Sequence, residues 1–224
     1  MAIDSNTQRQ LEDLSKEILK MCTLAIDMVK QITEAISTNK PHNINPIYEL
    51  EKKINKHQIE IDDTCFEMLS KNDLNLESLR FVVAIMKTTA ELERIGDQVV
   101  NIHDHFSRIQ LSRLNDEEAI KNLTAMGEES IRMIESASSA LLNKDEKEAT
   151  WVLGHDDVID EMKREFYTYS TSRMMELPEK IRAYIDIIFM ASNFERIADL
   201  ATNIAENAIY SIKGKDIRHR RTEL

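Results

Sequence analysis

Glycine and proline are nearly missing, with four and three in 224 residues, and aromatic side chains make up only 5% of the chain. A sheet protein draws on turn residues and on β-branched or aromatic strands, so this scarcity favours long helices with few breaks. Cysteine is limited to Cys22 and Cys65, each inside an apolar helical pattern, with no Cys-x-x-Cys site or disulfide framework. A reduced, cytoplasmic setting is expected. Long apolar runs are also missing. The longest, Phe81 to Met86, falls far short of the ~18 residues of a membrane span, and Met1 to Gln10 lacks the apolar core of a signal peptide. Any membrane role is therefore expected to pass through a partner. Positive charge is in deficit: the net charge is -11 and the pI about 5.1. Nucleic acids are bound by basic surfaces, so direct DNA or RNA binding is not expected. The local exception is Lys213 to Arg221, whose five basic residues read as a solvated tail or a docking element.

What is present is apolar periodicity at three- and four-residue steps. Leu11, Leu14, Ile18, Met21, Ala25, Met28 and Ile32 mark a first helix ending near Thr38. The stretch from Asn39 to Pro46 breaks it, and a second helix runs from about Ile47 to Ser70. Asn72, Asp73 and Asn75 form a polar turn that caps a third helix, from about Leu76 to Gln110. After Asn115 to Glu118, a fourth helix spans about Ala119 to Leu142, and a fifth follows to about Met175. Pro178 fits the first turn of a sixth helix that ends at Gly214.

The second set of three helices repeats the first. Glu93-Arg94-Ile95-Gly96-Asp97 and Asn101-Ile102 recur at a spacing of 102 residues as Glu195-Arg196-Ile197-Ala198-Asp199 and Asn203-Ile204. Arg80 and Ile85 pair with Arg182 and Ile187 at the same spacing. Recurring isoleucine is expected of any two amphipathic helices, but charged and amide residues in register indicate duplication. The predicted fold is all-α: two tandem three-helix bundles related by a pseudo-twofold axis. They occupy residues 7–112 and 115–213, followed by a basic tail at 214–224.

At about 100° per residue, Glu93, Asp97, Asn101 and Asp104 fall within an arc of roughly 80° on the third helix. Glu195, Asp199, Asn203 and Glu206 repeat the pattern on the sixth. Like charges four residues apart repel, and a purely structural surface would alternate signs. A bound cation would relieve the repulsion. Carboxylate and amide oxygens suit divalent ions such as Mg, Mn, Zn or Fe. Neighbouring helices offer Glu51 and Asn55, or Asp156 and Asp160, again four apart. The second set carries more negative charge and is expected to bind more tightly. The other reading is a solvated acidic face. His103 and His105 flank Asp104, but Glu-x-x-His, Gly-rich phosphate loops and Ser/His/Asp or Cys/His arrangements are missing.

Leu79-Arg80-Phe81-Val82, Met86-Lys87-Thr88 and Glu91 to Asp97, with the second copy at Glu195 to Asp199 and the ending Lys213 to His219, resemble the PhoU family of phosphate-uptake regulators. The resemblance covers nearly the whole chain. It implies two three-helix bundles, and multinuclear metal sites on the third and sixth helices assisted by the second and fifth. Glu93/Asp97, Glu195/Asp199 and Asp156/Asp160 match the family's acidic motifs. Glu51/Asn55 departs from them by an amide, and Ala198 replaces the usual glycine. The implied role is negative control of the phosphate regulon, linking the ATPase subunit of a phosphate ABC transporter to a sensor histidine kinase; a homodimer is expected. The alternative is a metal-dependent phosphoester hydrolase using the same carboxylates, which would need basic groups beside them.

Overall fold

Asp4 starts the first helix, α1 (Ser5–Thr38): its carboxylate accepts the backbone N–H groups of Asn6 at 2.7 Å and Thr7 at 2.9 Å, donors that a helix start leaves unpaired. The computed structural model describes residues 4–39, 45–71, 74–112, 114–215 and 217. Five further helices follow, α2 (Asn45–Ser70), α3 (Leu76–Ser112), α4 (Glu117–Asn143), α5 (Glu146–Glu176) and α6 (Ile181–Lys213). No strand occurs among the described residues. Polar turn residues cap the helices, at Asn75 and Asp116 as expected and also at Asp145. Asn75 accepts from the Ser78 N–H at 2.8 Å, Asp116 from Ala119 at 3.1 Å, and Asp145 from Lys147 at 2.8 Å. Pro178 opens a short 3-10 turn, Pro178–Lys180, and α6 begins after it. Of the expected breaks, 40–44 and 72–73 lie outside the described residues.

The apolar stripes become two cores joined into one. Ile18, Met21, Ala25, Met28 and Ile32 of α1 are fully buried against α2 and α3. Each large aliphatic side chain buried in this way contributes about 1.5–3 kcal/mol. Helices α4, α5 and α6 pack on one another in the same manner, so the two three-helix bundles predicted from the repeat are present. They meet along α3 and α6 and along α1 and α4. The α3–α6 seam is antiparallel. Glu91 accepts from Asn203 at 3.3 Å near one end, and His105 lies 2.7 Å from Asp186 near the other. The Lys87 ammonium sits over the Tyr210 ring, 4.8 Å from its centroid. At the α1–α4 crossing the helices touch at Gly127, where a Cβ would overlap the Thr33 side chain. Ser130 ties α4 to α6 by donating to the Phe194 carbonyl at 3.2 Å.

One buried polar knot fastens the end of the second bundle. Besides capping α4, Asp116 accepts the hydroxyls of Tyr169 and Tyr184, both at 2.6 Å, with Arg173 at 3.5 Å. Burial raises the Asp116 carboxyl pKa, but these donors and the Arg173 charge outweigh it and hold the group below its usual range. Both cysteines are buried and reduced; burial lifts Cys22 to about 11 and Cys65 to about 12, leaving unreactive thiols.

The start of the basic tail is docked. Gly214 ends α6 with a φ of 68°, the Arg80 guanidinium lies against it, and Ile217 is buried beyond it. Lys213 pairs with Glu146 at 2.5 Å. Asp216 and 218–224 lie outside the described residues. No described helix is long and apolar enough to cross a membrane.

Candidate metal centre

Glu93 and Asp97 stand one turn apart on α3, and α2 packs beside that helix. Burial, then the charges of Asp97 and Glu51, raise the Glu93 carboxyl above its ordinary range, with Arg94 offsetting part of the effect. The four expected residues Glu51, Asn55, Glu93 and Asp97 therefore form one constellation. Asn55 donates its amide to Glu51 Oε1 at 2.6 Å, while its own Oδ1 is buried without a hydrogen-bond partner. Among the described residues, no lysine or arginine reaches Glu51, Glu93 or Asp97 within ion-pair distance; Arg94 turns to Glu91 at 3.7 Å. Further along α3, Asn101 and Asp104 are exposed.

The second constellation differs. Asp160 on α5 and Glu195 on α6 line a cleft of about 390 Å3, together with Phe166, Ser192 and Lys163. The Lys163 ammonium lies 3.0 Å from Glu195 Oε1. Asp156 is buried one turn before Asp160, and Asp199 is exposed one turn after Glu195. Asn203 turns away into the α3–α6 seam, where it donates to Glu91, and Glu206 is buried. The sixth-helix stripe is thus divided between the cleft, the solvent and the interior. Lys163 was not anticipated, although its position, seven residues after Asp156 and three after Asp160, places it on their helical face.

Neither histidine beside Asp104 joins the acidic groups of α3 with α2. His103 is buried, with Nδ1 3.7 Å from Asp104. His105 Nδ1 lies 2.7 Å from Asp186, its ring stacks on Phe189 with centroids 5.0 Å apart, and Arg108 Nε reaches the same carboxylate at 3.0 Å. This clasp between α3 and α6 depends on long-range contacts that local spacing does not reveal.

Among the described residues, no three His, Cys, Asp or Glu side chains are gathered into a group that could hold a metal ion. A cation at the first constellation would use the Asn55 amide oxygen and solvent as well, as hard divalent ions commonly do.

The model of the PhoU domain matches this chain twice, over residues 18–105 and 123–208. The chain belongs to the PhoU family. The phosphate-specific transport system accessory protein PhoU of Edwardsiella tarda is 30% identical over 221 residues, covering 94% of this chain and 86% of that protein. Its counterpart in Serratia marcescens is 27% identical over 219 residues, covering 97% and 88%. In three dimensions the chain is similar to PhoU from Pseudomonas aeruginosa, with a TM-score of 0.86 at 25% identity, covering 93% of this chain and 99% of that one. The two matched segments of the PhoU domain each contain one acidic constellation.

Proposed function

We propose that this protein is a cytoplasmic accessory regulator of phosphate uptake. In this reading it holds the phosphate regulon down when phosphate is plentiful, by contact with the ATPase subunit of a phosphate ABC transporter and with a sensor histidine kinase. The observation that carries the reading is the double PhoU domain, shared over nearly the full chain with relatives named for phosphate-specific transport. A net charge of -11 favours protein partners with basic surfaces over nucleic acid. No described helix can cross a bilayer, so the partners would supply the membrane attachment.

Divalent cations (Fe, Mn, Zn or Mg) belong to the same reading. Glu51, Asn55, Glu93 and Asp97 would hold them in the first bundle, and Asp156, Asp160, Glu195 and Asp199 in the second. Two features support this at the first site. Asn55 Oδ1 is a buried acceptor without a donor, and burial, together with the charges of Asp97 and Glu51, keeps Glu93 above its usual range. A cation would satisfy the first and offset the like-charge part of the second. Bound there, it would supply positive charge that links α2 to α3.

The hydrolase alternative calls for basic groups free to meet a phosphoester. Lys163 and Arg164 of the α5–α6 cleft are paired with Glu195 and Glu161 in this structure, and the relatives are named as accessory proteins. Accessory contact rather than turnover is the reading retained.

Deleting the gene and measuring phosphate-regulon transcription in phosphate-rich medium tests the proposal. Derepression is expected, together with co-purification of the transporter ATPase or the kinase at low salt. Unchanged repression with no complex would overturn it. Phosphatase turnover that is lost in Glu195→Gln with the fold intact would favour the hydrolase.

A further inference from the structure

The two acidic constellations come from one duplicated pattern, yet they differ in a residue that neither motif contains. The position seven residues after Glu51, and three after Asn55, is Gln58. The position seven after Asp156, and three after Asp160, is Lys163. On a helix these are corresponding places on the same face as the acidic pair. In the first bundle that place is neutral. In the second it holds a cation, and the cation is seated: the Lys163 ammonium is 3.0 Å from Glu195 Oε1.

We propose that the Lys163 ammonium is the resident counter-ion of the second acidic stripe, so that a divalent metal ion enters there only by displacing it and the first stripe is the higher-affinity site. This inference rests on the cation reading above and reverses the order that counting carboxylates suggests. A charge-assisted contact at 3.0 Å to a carboxylate only 18% exposed is a strong local interaction. An ammonium and a metal ion cannot share that carboxylate without close like-charge repulsion.

Exchange is nonetheless open to Lys163. Its side chain is 38% exposed and sits on a flexible four-carbon stem, beside a cleft of about 390 Å3. The ammonium can leave for solvent when a cation binds Glu195 and Asp160. The first stripe offers the opposite situation, with no described lysine or arginine within ion-pair distance of Glu51, Glu93 or Asp97 and the Asn55 oxygen unpartnered. The second bundle would thus keep its acidic face neutralised without metal. Metal dependence would be concentrated in the first.

Full-length protein stripped with chelator and titrated with Mn(II), with free ion counted by electron paramagnetic resonance, tests this. Wild type is expected to show a tighter class of sites lost in Asp97→Asn and a weaker class lost in Glu195→Gln. Lys163→Met should tighten the weaker class about tenfold and leave the other unchanged, because it removes the competing charge but keeps most of the stem. Lys163→Arg should behave as wild type. Lys163→Gln repeats the measurement should circular dichroism show that the methionine variant is unfolded. A weaker class that is unchanged or weakened by the neutral variants, or a tighter class lost in Glu195→Gln, would overturn the proposal while leaving the cation reading intact. Absence of Mn(II) uptake by wild type and the neutral variants alike would overturn both.

Discussion

Glu93 shows how an acidic site sets binding against stability. A carboxyl whose pKa rises on folding opposes stability at pH values above its folded pKa, and that opposition fades as pH falls through the folded value toward the unfolded one. Glu93→Gln is therefore expected to stabilise the metal-free protein at neutral pH by a few tenths of a kcal/mol, as relief of like-charge neighbours does. It should also remove the part of the rise in Tm that Mn(II) produces at low concentration, through the tighter site. A variant less stable than wild type without metal would contradict this. Asp116 has the opposite sign. Its depressed pKa contributes stability that is present above the unfolded value of 3.8 and lost as pH falls through the folded one. Asp116→Asn keeps a capping side chain but removes the charge beside Tyr169, Tyr184 and Arg173. It should cost about 2 kcal/mol at pH 7, measured by urea denaturation, with the difference shrinking below about pH 3.8. Much of this was legible residue by residue. Asn115 to Glu118 was readable as a cap, and Glu93 and Asp97 as paired acids. The two tyrosines on Asp116, and Lys163 on Glu195, were not, because they depend on how α5 and α6 are rotated about their axes.

Helix number, order and approximate ends follow from periodicity and breakers, since each of the six needs a buried stripe and a cap. The crossings between helices do not follow from local pattern. Nothing in the stretch around Gly127 shows that Thr33, far away in sequence, occupies the space a side chain would need. Overlap at a packed crossing typically costs 1–3 kcal/mol. Gly127→Ala should lower stability by about 2 kcal/mol, and Thr33→Ala, which removes the overlapping hydroxyl and methyl, should recover at least half of that loss in the double variant. Additive losses in a double-mutant cycle of unfolding free energies would show that the crossing is looser than the structure indicates. Pro178 is a smaller departure of the same kind. Its fixed φ suits the start of a helix, and the chain uses it for a 3-10 turn between α5 and α6.

At the scale of the whole molecule, charge and seam matter most. With a net charge of -11, complexes with basic partners are expected to form quickly and to weaken as salt rises, so co-purification at 50 mM salt should fall sharply by 500 mM. Salt-independent capture would point to an apolar contact instead. The seam carries a consequence for ancestry. Antiparallel α3 and α6 are copies of one another in chain order, so α6 covers a surface of α3 that a second α3 could cover in its place, although the contacts Lys87 to Tyr210 and His105 to Asp186 join positions at which the two copies differ. Residues 1–112 expressed alone would leave that surface and the α1 crossing uncovered, and a second copy could replace the missing half. Sedimentation should find this fragment as a twofold dimer at micromolar concentration, and a folded monomer would count against it. The dimer would stand for a founder protein whose two chains were later fused. After fusion the halves no longer had to remain identical, and a lysine could enter one acidic stripe while the other kept its glutamine.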